Sequence, residues 1–264
     1  MPIEILKNIV YEKENPSSTL DIYLPVPKEG IKLRPLIIWL HGGQLVSGDK
    51  ADSECITICN GAAEQGYVCA SINYSLAESY INRWDICNKS VLDCKKAIAF
   101  LISFSQKLSI DPKRIGLLGN DSGGTLALLS AFSNNEKKLT PEKYNIEVQA
   151  VANIFGGSDK RYDAPGGIPS NPKQNRLFSP ETYIRKSLPA TFICHGSHDS
   201  IIPASQAYII DDLLRLEQVP HDILIIEKGN HDLPKNAYWD RLIVFLDKHL
   251  KPQVKENDDK PSAK

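Results

Sequence analysis

The sequence lacks long hydrophobic runs, and none of its apolar stretches approaches the length of a membrane-spanning helix. Residues 1–13 mix charged residues into a strand-like pattern and do not resemble a signal peptide. Neither charge sign is in excess, because 31 Lys and Arg face 32 Asp and Glu, and the basic residues are dispersed. We therefore expect a cytoplasmic protein with neither a membrane nor a nucleic acid as its partner.

Cysteine is sparse and has no metal-binding spacing. The six cysteines are scattered through predicted helices and strands, which predicts reduced thiols and not disulfides. Cys55 and Cys59 lie one helical turn apart without a matching His or Cys pair, so we expect no metal site. No pattern in the chain requires a cofactor, no internal repeat is visible, and nothing indicates an oligomeric state.

The chain is rich instead in alternating apolar segments of strand and helix length. Its 264 residues, 42% apolar and 24% charged, are typical of one globular domain. Such alternation predicts an α/β fold with a mostly parallel sheet, flanked by helices, with functional residues at the carboxyl ends of the strands. We expect a single domain over residues 1–251 and a disordered, charged tail over residues 252–264.

The predicted strands include two that should pair antiparallel at the start of the chain. Together they cover residues 3–11, 20–24, 35–40, 67–74, 115–118, 148–155, 190–194 and 223–227. The predicted helices cover residues 53–65, 89–107, 123–132, 204–216 and 238–250. Residues 156–187 are rich in Gly, Pro and Asn and predict a loop-rich, cap-like insertion over the site.

Residues 114–127 read RIGLLGNDSGGTLA, an apolar strand followed by a glycine-flanked turn and the start of a helix. This stretch resembles the nucleophile elbow of the α/β-hydrolase family, in its carboxylesterase, feruloyl-esterase and hormone-sensitive-lipase-like branch. That branch commonly reads D-P-x-R-I-x-x-x-G-x-S-x-G-G-x-L-A. The chain matches the pattern from Asp111 without a gap, so Asp121 occupies the position of the family's serine.

Two other interpretations of the elbow stay open. A one-residue slip would make Ser122 the nucleophile, but it would put Asn120 where the family has its first glycine. Alternatively, Asp121 marks a site that has lost its activity, in nature or by design.

The motif His-Gly-Gly-Gln over residues 41–44, with Gly-Asp-Lys over residues 48–50, resembles the oxyanion loop of the same family. Adjacent glycines let backbone N–H groups approach a developing negative charge. The resemblance implies oxyanion donors at Gly43 and Gln44, with the N–H of Ser122 as the other donor.

Two further motifs imply an acid and a base in the family's chain order. A His-Gly-x-x-Asp motif after a predicted strand ends at Asp199, and a Gly-Asn-His-Asp loop after the last strand contains His231. The resemblance implies a triad of Asp121, His231 and Asp199. His195 and His198 are expected to be structural or to line the pocket.

Several aromatic and loop residues are candidates for substrate binding, and the alternative for those in the insertion is that they only pin its loop. They are His41, Gly42, Tyr74, Tyr162, Phe178 and Tyr183. Candidate proton or halide donors are Tyr74, Tyr80, Tyr162, Tyr183, Tyr208, Trp84 and Trp239.

Two carboxylates beside His231 should favour its imidazolium form, which is a poor base for an ordinary esterase. An attack by Asp121 on an electrophilic saturated carbon suits that state better, because alkylation removes the charge of Asp121 and makes His231 a better base. We therefore expect an esterase-like hydrolase of a small organic substrate, with an epoxide or similar electrophile attacked by Asp121. The alternative is an altered or inactive esterase homologue that binds a ligand or opens or cyclises a ring.

Overall fold

The computed structural model describes residues 2–26, 33–80, 83, 85–144, 146–158 and 172–251. These residues form one eight-stranded sheet of strand order β1-β2-β4-β3-β5-β6-β7-β8. The strands are β1 (Ile3–Val10), β2 (Thr19–Pro25), β3 (Arg34–Leu40), β4 (Val68–Ile72), β5 (Ile110–Asn120), β6 (Ala150–Ile154), β7 (Ala190–Gly196) and β8 (His221–Ile226).

Strand direction decides where side chains can meet. β2 runs antiparallel to β1 and to β4, whereas β4, β3, β5, β6, β7 and β8 are parallel to one another. The carboxyl ends of the parallel strands therefore lie at one edge of the sheet. The predicted fold class, a mostly parallel sheet flanked by helices, is confirmed.

The helices cover both faces of the sheet. They are α1 (Ser53–Glu64), α2 (Cys87–Ser103), α3 (Asp121–Phe132), α4 (Pro172–Leu177), α5 (Ser205–Leu216) and α6 (Trp239–Leu250), with 3₁₀ turns at Glu142–Tyr144, Pro180–Tyr183 and Lys235–Ala237. Residues of α1 and α6 pack in one hydrophobic core, and residues of α2, α3 and α5 pack in the other.

Strand β3 shows why the central sheet forms from this sequence. Leu36, Ile38 and Leu40 point into one core, and Ile37 and Trp39 point into the other. Side chains alternate between the faces of a strand, so a strand covered on both faces must be apolar at every position. Residues 35–40 of β3 are all buried, as their unbroken apolar run predicts.

The element boundaries differ most from the prediction at helix α2, at strand β5 and in the insertion. Helix α2 begins two residues before the predicted range and ends four residues before its end. Strand β5 starts at Ile110, ahead of Pro112, and its ladder with β3 is irregular there, as a residue without an N–H donor requires. In the predicted insertion, α4 and a 3₁₀ turn organise residues 172–183, whereas residues 159–171 and the predicted tail, 252–264, lie outside the described residues.

All six cysteines are buried, and none of them forms a disulfide. Their side chains contribute to the packing between sheet and helices, as small apolar groups do. Across the described ranges, no helix combines the length and the apolar character that crossing a bilayer needs.

A buried ion pair joins the loop after β3 to strand β2, next to the edge strand of the sheet. Lys50 Nζ lies 3.0 Å from Asp21 Oδ1 on β2 and donates a hydrogen bond to Asn8 Oδ1 at 2.8 Å. The backbone N–H of Lys50 also donates to the side-chain oxygen of Asn73 at 2.6 Å. Because both charged groups are buried, each depends on the other for its compensation. The pair thus fixes the far end of the loop that starts at His41.

We expect Lys50→Met to lower the free energy of unfolding by about 3 kcal/mol, because it leaves the carboxylate of Asp21 buried without a counter-charge. Urea denaturation at neutral pH measures this effect. Arg241→Ala is the matched control, since it removes a more exposed ion pair with Asp222 and should cost less than about 1 kcal/mol. Equal losses in the two variants would show that Lys50 does not fix the loop through its charge.

Candidate active site

The sharp turn between β5 and α3 puts Asp121 at the carboxyl edge of the sheet. Asp121 has φ +48°, in the left-handed region that side chains rarely adopt. A Cβ at Gly123 would overlap the carbonyl oxygens of Leu40 and His41, and a Cβ at Gly119 would overlap the backbone of Gly123. The turn therefore needs glycine on both sides of Asp121.

The two carboxylate oxygens of Asp121 have different surroundings. Oδ2 accepts hydrogen bonds from the backbone N–H groups of Gly43 at 2.9 Å and Gln44 at 3.0 Å. Oδ1 lies 3.6 Å from Nε2 of His231, which is longer than a direct hydrogen bond but close enough for an ion pair. One oxygen is thus held by the predicted oxyanion donors, and the other faces the imidazole.

His231 lies between two carboxylates. Its Nδ1 is 2.8 Å from Oδ2 of Asp199, and the ring of Phe155 meets the imidazole edge to face with centroids 4.9 Å apart. Oδ1 of Asp199 accepts the N–H groups of Ile201 and Ile202, each at 2.9 Å. These backbone donors fix the carboxylate, so Asp199 in turn orients the imidazole.

Burial disfavours the charged forms of Asp121, Asp199 and His231, but the contacts of these groups favour the charged forms more strongly. Burial alone would raise the pKa of the Asp121 carboxyl, but His231 and the N–H of Gly43 hold it below its usual value. Burial would also raise the pKa of Asp199, but its hydrogen bonds with His195 and His231 hold that pKa far below the usual value. Burial would lower the pKa of His231, yet Asp121 and Asp199 raise it to about 9. At neutral pH the site holds an imidazolium between two carboxylates.

In the part of the chain that the structure describes, no three Cys, His, Asp or Glu side chains form a group suited to a metal ion.

Ser122 takes a different position from Asp121. Its hydroxyl oxygen accepts a hydrogen bond from the N–H of Leu45 at 3.3 Å, within the loop after β3. The structure thus places Asp121, and not Ser122, beside His231. The geometry matches the gapless interpretation of the elbow and differs from the one-residue slip.

The side chains of His41 and Tyr74 support the loop after β3 through contacts within the protein, whereas the sequence suggested that they bind substrate. The Tyr74 hydroxyl donates to the carbonyl of His41 at 2.6 Å, and the two rings stack with centroids 4.3 Å apart. The His41 Nδ1 lies 2.7 Å from the carbonyl oxygen of Gly42. Both side chains are buried, and the Tyr74 hydroxyl and the His41 Nδ1 are used within the protein, so we assign them to supporting the loop.

Two candidates in the predicted insertion take the structural role that the sequence left open for them. Phe178 is buried in the core that includes α2, α3 and α5. The Tyr183 hydroxyl donates to the carbonyl of Leu177 at 2.7 Å and lines a separate cavity among charged residues, so it pins its own loop. Tyr162 and the candidate donor Trp84 lie outside the described residues.

Sequence reasoning missed a carboxyl group next to the elbow. Oε2 of Glu54, in the first turn of α1, accepts a hydrogen bond at 2.6 Å from the side-chain amide of Asn120. Burial, followed by the charge of Asp232, raises the pKa of Glu54 to about 7. The contact joins residues 66 positions apart in the chain, so no local pattern could have identified it.

The sheet order, the elbow after β5, the acid after β7 and the histidine after β8 define an α/β-hydrolase fold. The BD-FAE family profile matches residues 20–214, which is more than half of the chain. The chain belongs to the BD-FAE family, in agreement with the carboxylesterase- and feruloyl-esterase-like resemblance of its motifs. His231 lies beyond the matched residues, so its place at the site rests on the geometry.

Proteins of known sequence and structure add to this family assignment. The chain is 27% identical to the probable carboxylic ester hydrolase LipM of Mycobacterium tuberculosis over 232 residues, covering 81% of this chain and 52% of LipM. It is 34% identical to Lipase 2 of Moraxella sp. over 226 residues, covering 73% of this chain and 50% of the lipase. It therefore spans about half the length of these curated relatives.

A solved structure of similar shape is the truncated form of a carbohydrate esterase from gut microbiota. The TM-score is 0.77 at 23% sequence identity, and the match covers 93% of this chain and 96% of the esterase chain. At that identity the likeness supports the fold.

The charge of His231 gives a stability prediction with a definite sign. The pKa of His231 is about 9 in the fold and about 6.5 in an unfolded chain, so its contribution is complete below pH 6.5 and is lost as the pH rises through 9. We expect the stability advantage of the wild type over His231→Gln to fall by about 2 kcal/mol between pH 6 and pH 9.5. Urea denaturation at a series of pH values measures the difference.

The control for this titration is His198→Gln, because that side chain is exposed. Its stability difference from the wild type should change little over the same range. An advantage of the wild type over His231→Gln that stays constant, or grows with pH, would contradict an imidazolium held by two carboxylates.

Proposed function

We propose that this chain is a hydrolase of small organic molecules in which Asp121, His231 and Asp199 form a catalytic triad. In the proposed reaction Asp121 is the nucleophile, and its target is an epoxide or a similarly electrophilic saturated carbon. The motifs carried over from the family support the triad, and the departure at Asp121 sets the reaction.

The observation that carries the proposal is that the two carboxylate oxygens of Asp121 have different contacts. Oδ2 is already held by the N–H groups of Gly43 and Gln44, and Oδ1 is free of them and faces His231. A carboxylate nucleophile needs one oxygen to attack and one oxygen to carry negative charge when its ester is later hydrolysed. The resting geometry supplies both.

In the first step Oδ1 attacks a ring carbon and forms a C–O bond, while the bond from that carbon to the ring oxygen breaks. The ring oxygen takes the Nε2 proton of the His231 imidazolium and becomes a hydroxyl. The hydroxyls of Tyr74 and Tyr183 are used elsewhere in the fold, which favours His231 as the donor. The product is a neutral alkyl ester of Asp121 beside a neutral imidazole.

In the second step neutral His231 removes a proton from water, and the resulting hydroxide attacks the carboxyl carbon of Asp121. The negative charge develops on Oδ2, between the N–H groups of Gly43 and Gln44. Collapse of this intermediate breaks the bond between the carboxyl carbon of Asp121 and Oδ1. The alkoxide departs with this oxygen and takes the proton from His231. A diol leaves, and proton transfer from Asp121 to His231 restores the starting pair.

An ordinary esterase reaction fits this site less well. The N–H groups that would stabilise the oxyanion of an ester substrate already bind Asp121 itself. Attack of a carboxylate on an ester would also give a mixed anhydride, which forms less easily than an acyl-serine. These points place esters behind epoxides as substrates of the wild-type protein.

The label from heavy-oxygen water tests the nucleophile directly. In a single turnover with excess enzyme, water attacks the carboxyl carbon, so the label should enter the Asp121 carboxylate. A panel of epoxides and alkyl halides provides the substrates, and mass spectrometry of the peptide that contains Asp121 provides the measurement. His231→Gln should slow the second step by about a thousandfold because the water loses its base, and it should accumulate the alkylated peptide with the alkyl halides, whose departing halide needs no proton from His231.

Asp121→Asn is the control, since it should form no adduct with the same reagents. Turnover of a substrate with label only in the product, together with no adduct from the alkyl halides in His231→Gln, would contradict Asp121 as the nucleophile. A panel that leaves neither product nor adduct would contradict the assignment to epoxides and halides.

A second prediction concerns the esterase scaffold. Asp121→Ser should hydrolyse short activated esters such as p-nitrophenyl acetate at least about tenfold faster than the wild type, because it frees the N–H donors and removes the charge that keeps His231 protonated. The release of p-nitrophenol measures the rate. Adding Ser122→Ala to this variant should leave the gain in place. A folded Asp121→Ser protein that hydrolyses no ester and reacts with no serine-directed phosphonate would contradict this prediction. It would show that the N–H donors and His231 do not activate a nucleophile at position 121.

A further inference from the structure

Four hydrogen-bond donors converge on the carboxylate of Asp199, and one of them is a second histidine. The N–H groups of Ile201 and Ile202 bind Oδ1, as described above. Oδ2 receives His231 Nδ1 at 2.8 Å and His195 Nε2 at 3.2 Å. Two imidazoles therefore share one carboxylate oxygen, and the side chains of His195 and Asp199 are both fully buried.

The contacts of His195 determine where its proton lies. Nε2 is 2.8 Å from the carbonyl oxygen of Ile202, which can only accept, so Nε2 must carry a hydrogen. Nδ1 is buried and has no hydrogen-bond partner among the described residues. A proton on Nδ1 would leave a buried charged donor unpaired, which is costly. His195 is thus a neutral imidazole that divides its one N–H between Ile202 and Asp199.

This sharing matters because Asp199 controls the proton on His231. A carboxylate oxygen stabilises an imidazolium less strongly when another donor already takes part of its charge. Of the charged groups in the described ranges, Asp121 on α3 and Asp199 on the loop after β7 face His231, and the Phe155 ring covers one side. Once Asp121 is esterified, only Asp199 of these two carboxylates still carries a charge.

We propose that His195 is a positioning residue that fixes Oδ2 of Asp199 toward His231 and limits how strongly this carboxylate holds the imidazolium form. The proposal rests on the proposed function, because it explains how His231 can become a base for water after Asp121 has been alkylated. Without His195, a fully available Asp199 would keep His231 protonated over more of the neutral range after Asp121 has been alkylated. The second step would then lose its base.

The test is a proton NMR titration of His231, which needs no substrate. His195→Phe fills the same space without a donor, and His195→Gln keeps a neutral N–H that can reach Asp199. We expect His195→Phe to raise the pKa of His231 by roughly half a unit to one unit, and His195→Gln to move it by less than about 0.3 units. The His231 resonance is assigned by its absence in His231→Gln, and thermal denaturation shows that each variant is folded.

An unchanged or lowered pKa of His231 in folded His195→Phe would overturn the proposal and leave His195 with a packing role. If His195→Phe does not fold, nitrogen-15 spectra of the wild type decide the matter. They should show His195 with a hydrogen on Nε2 and none on Nδ1 at neutral pH, and a hydrogen on Nδ1 would overturn the proposal.

This outcome is separate from that of the label experiment. Label in Asp121 together with an unmoved His231 pKa would retain the nucleophile and reject the role of His195. A raised pKa without any label or adduct would retain the coupling between the histidines and reject the proposed reaction.

Discussion

The left-handed backbone of Asp121 is the constraint on which the site depends. A non-glycine residue in this region costs about 1 kcal/mol or more, and it persists because the surrounding packing leaves no other arrangement. Gly119 and Gly123 allow the turn, and the missing Cβ of Gly123 lets α3 approach the carbonyl groups at the end of β3. That approach brings the N–H groups of Gly43 and Gln44 onto the carboxylate. Strain at one residue thus fixes both the position and the solvation of the proposed nucleophile.

The charges of the site follow from that placement. Two carboxylates around one imidazole would repel each other at close range, and the imidazolium of His231 compensates for both of them. The backbone donors on Asp121 and Asp199 spread their charge further, so neither carboxylate needs a metal ion or a second cation to stay ionised. The cost is that His231 starts as an acid. In the proposed reaction the alkylation of Asp121 removes one of the two charges, and His231 then becomes a base at the moment when water must be activated.

Most of the fold and the positions of Asp121, Asp199 and His231 could be predicted from the sequence. Buried parallel strands have unbroken apolar runs, and their carboxyl ends meet at one edge, so motifs after different strands must converge. The finer contacts could not be predicted, because they join residues far apart in the chain at distances that only packing sets. The contact of Asn120 with Glu54 is one example, and the buried pair between Lys50 and β2 is another. The role of Tyr74 behind the loop has the same origin.

The hydrogen bonds on Oδ2 also bear on the substrate class. In the first step of the proposed reaction the carboxylate loses charge as it becomes an ester, so the hydrogen bonds from Gly43 and Gln44 weaken and oppose the attack. In the second step Oδ2 gains nearly a full charge, so the same donors strengthen and favour the hydrolysis. Only contacts that strengthen in a transition state accelerate its step. The site thus favours the second step at the expense of the first, and the first step needs a substrate that supplies its own driving force. A strained three-membered ring releases that energy on opening, whereas an unstrained ester or ether does not, which is why the geometry directs the proposal to epoxides.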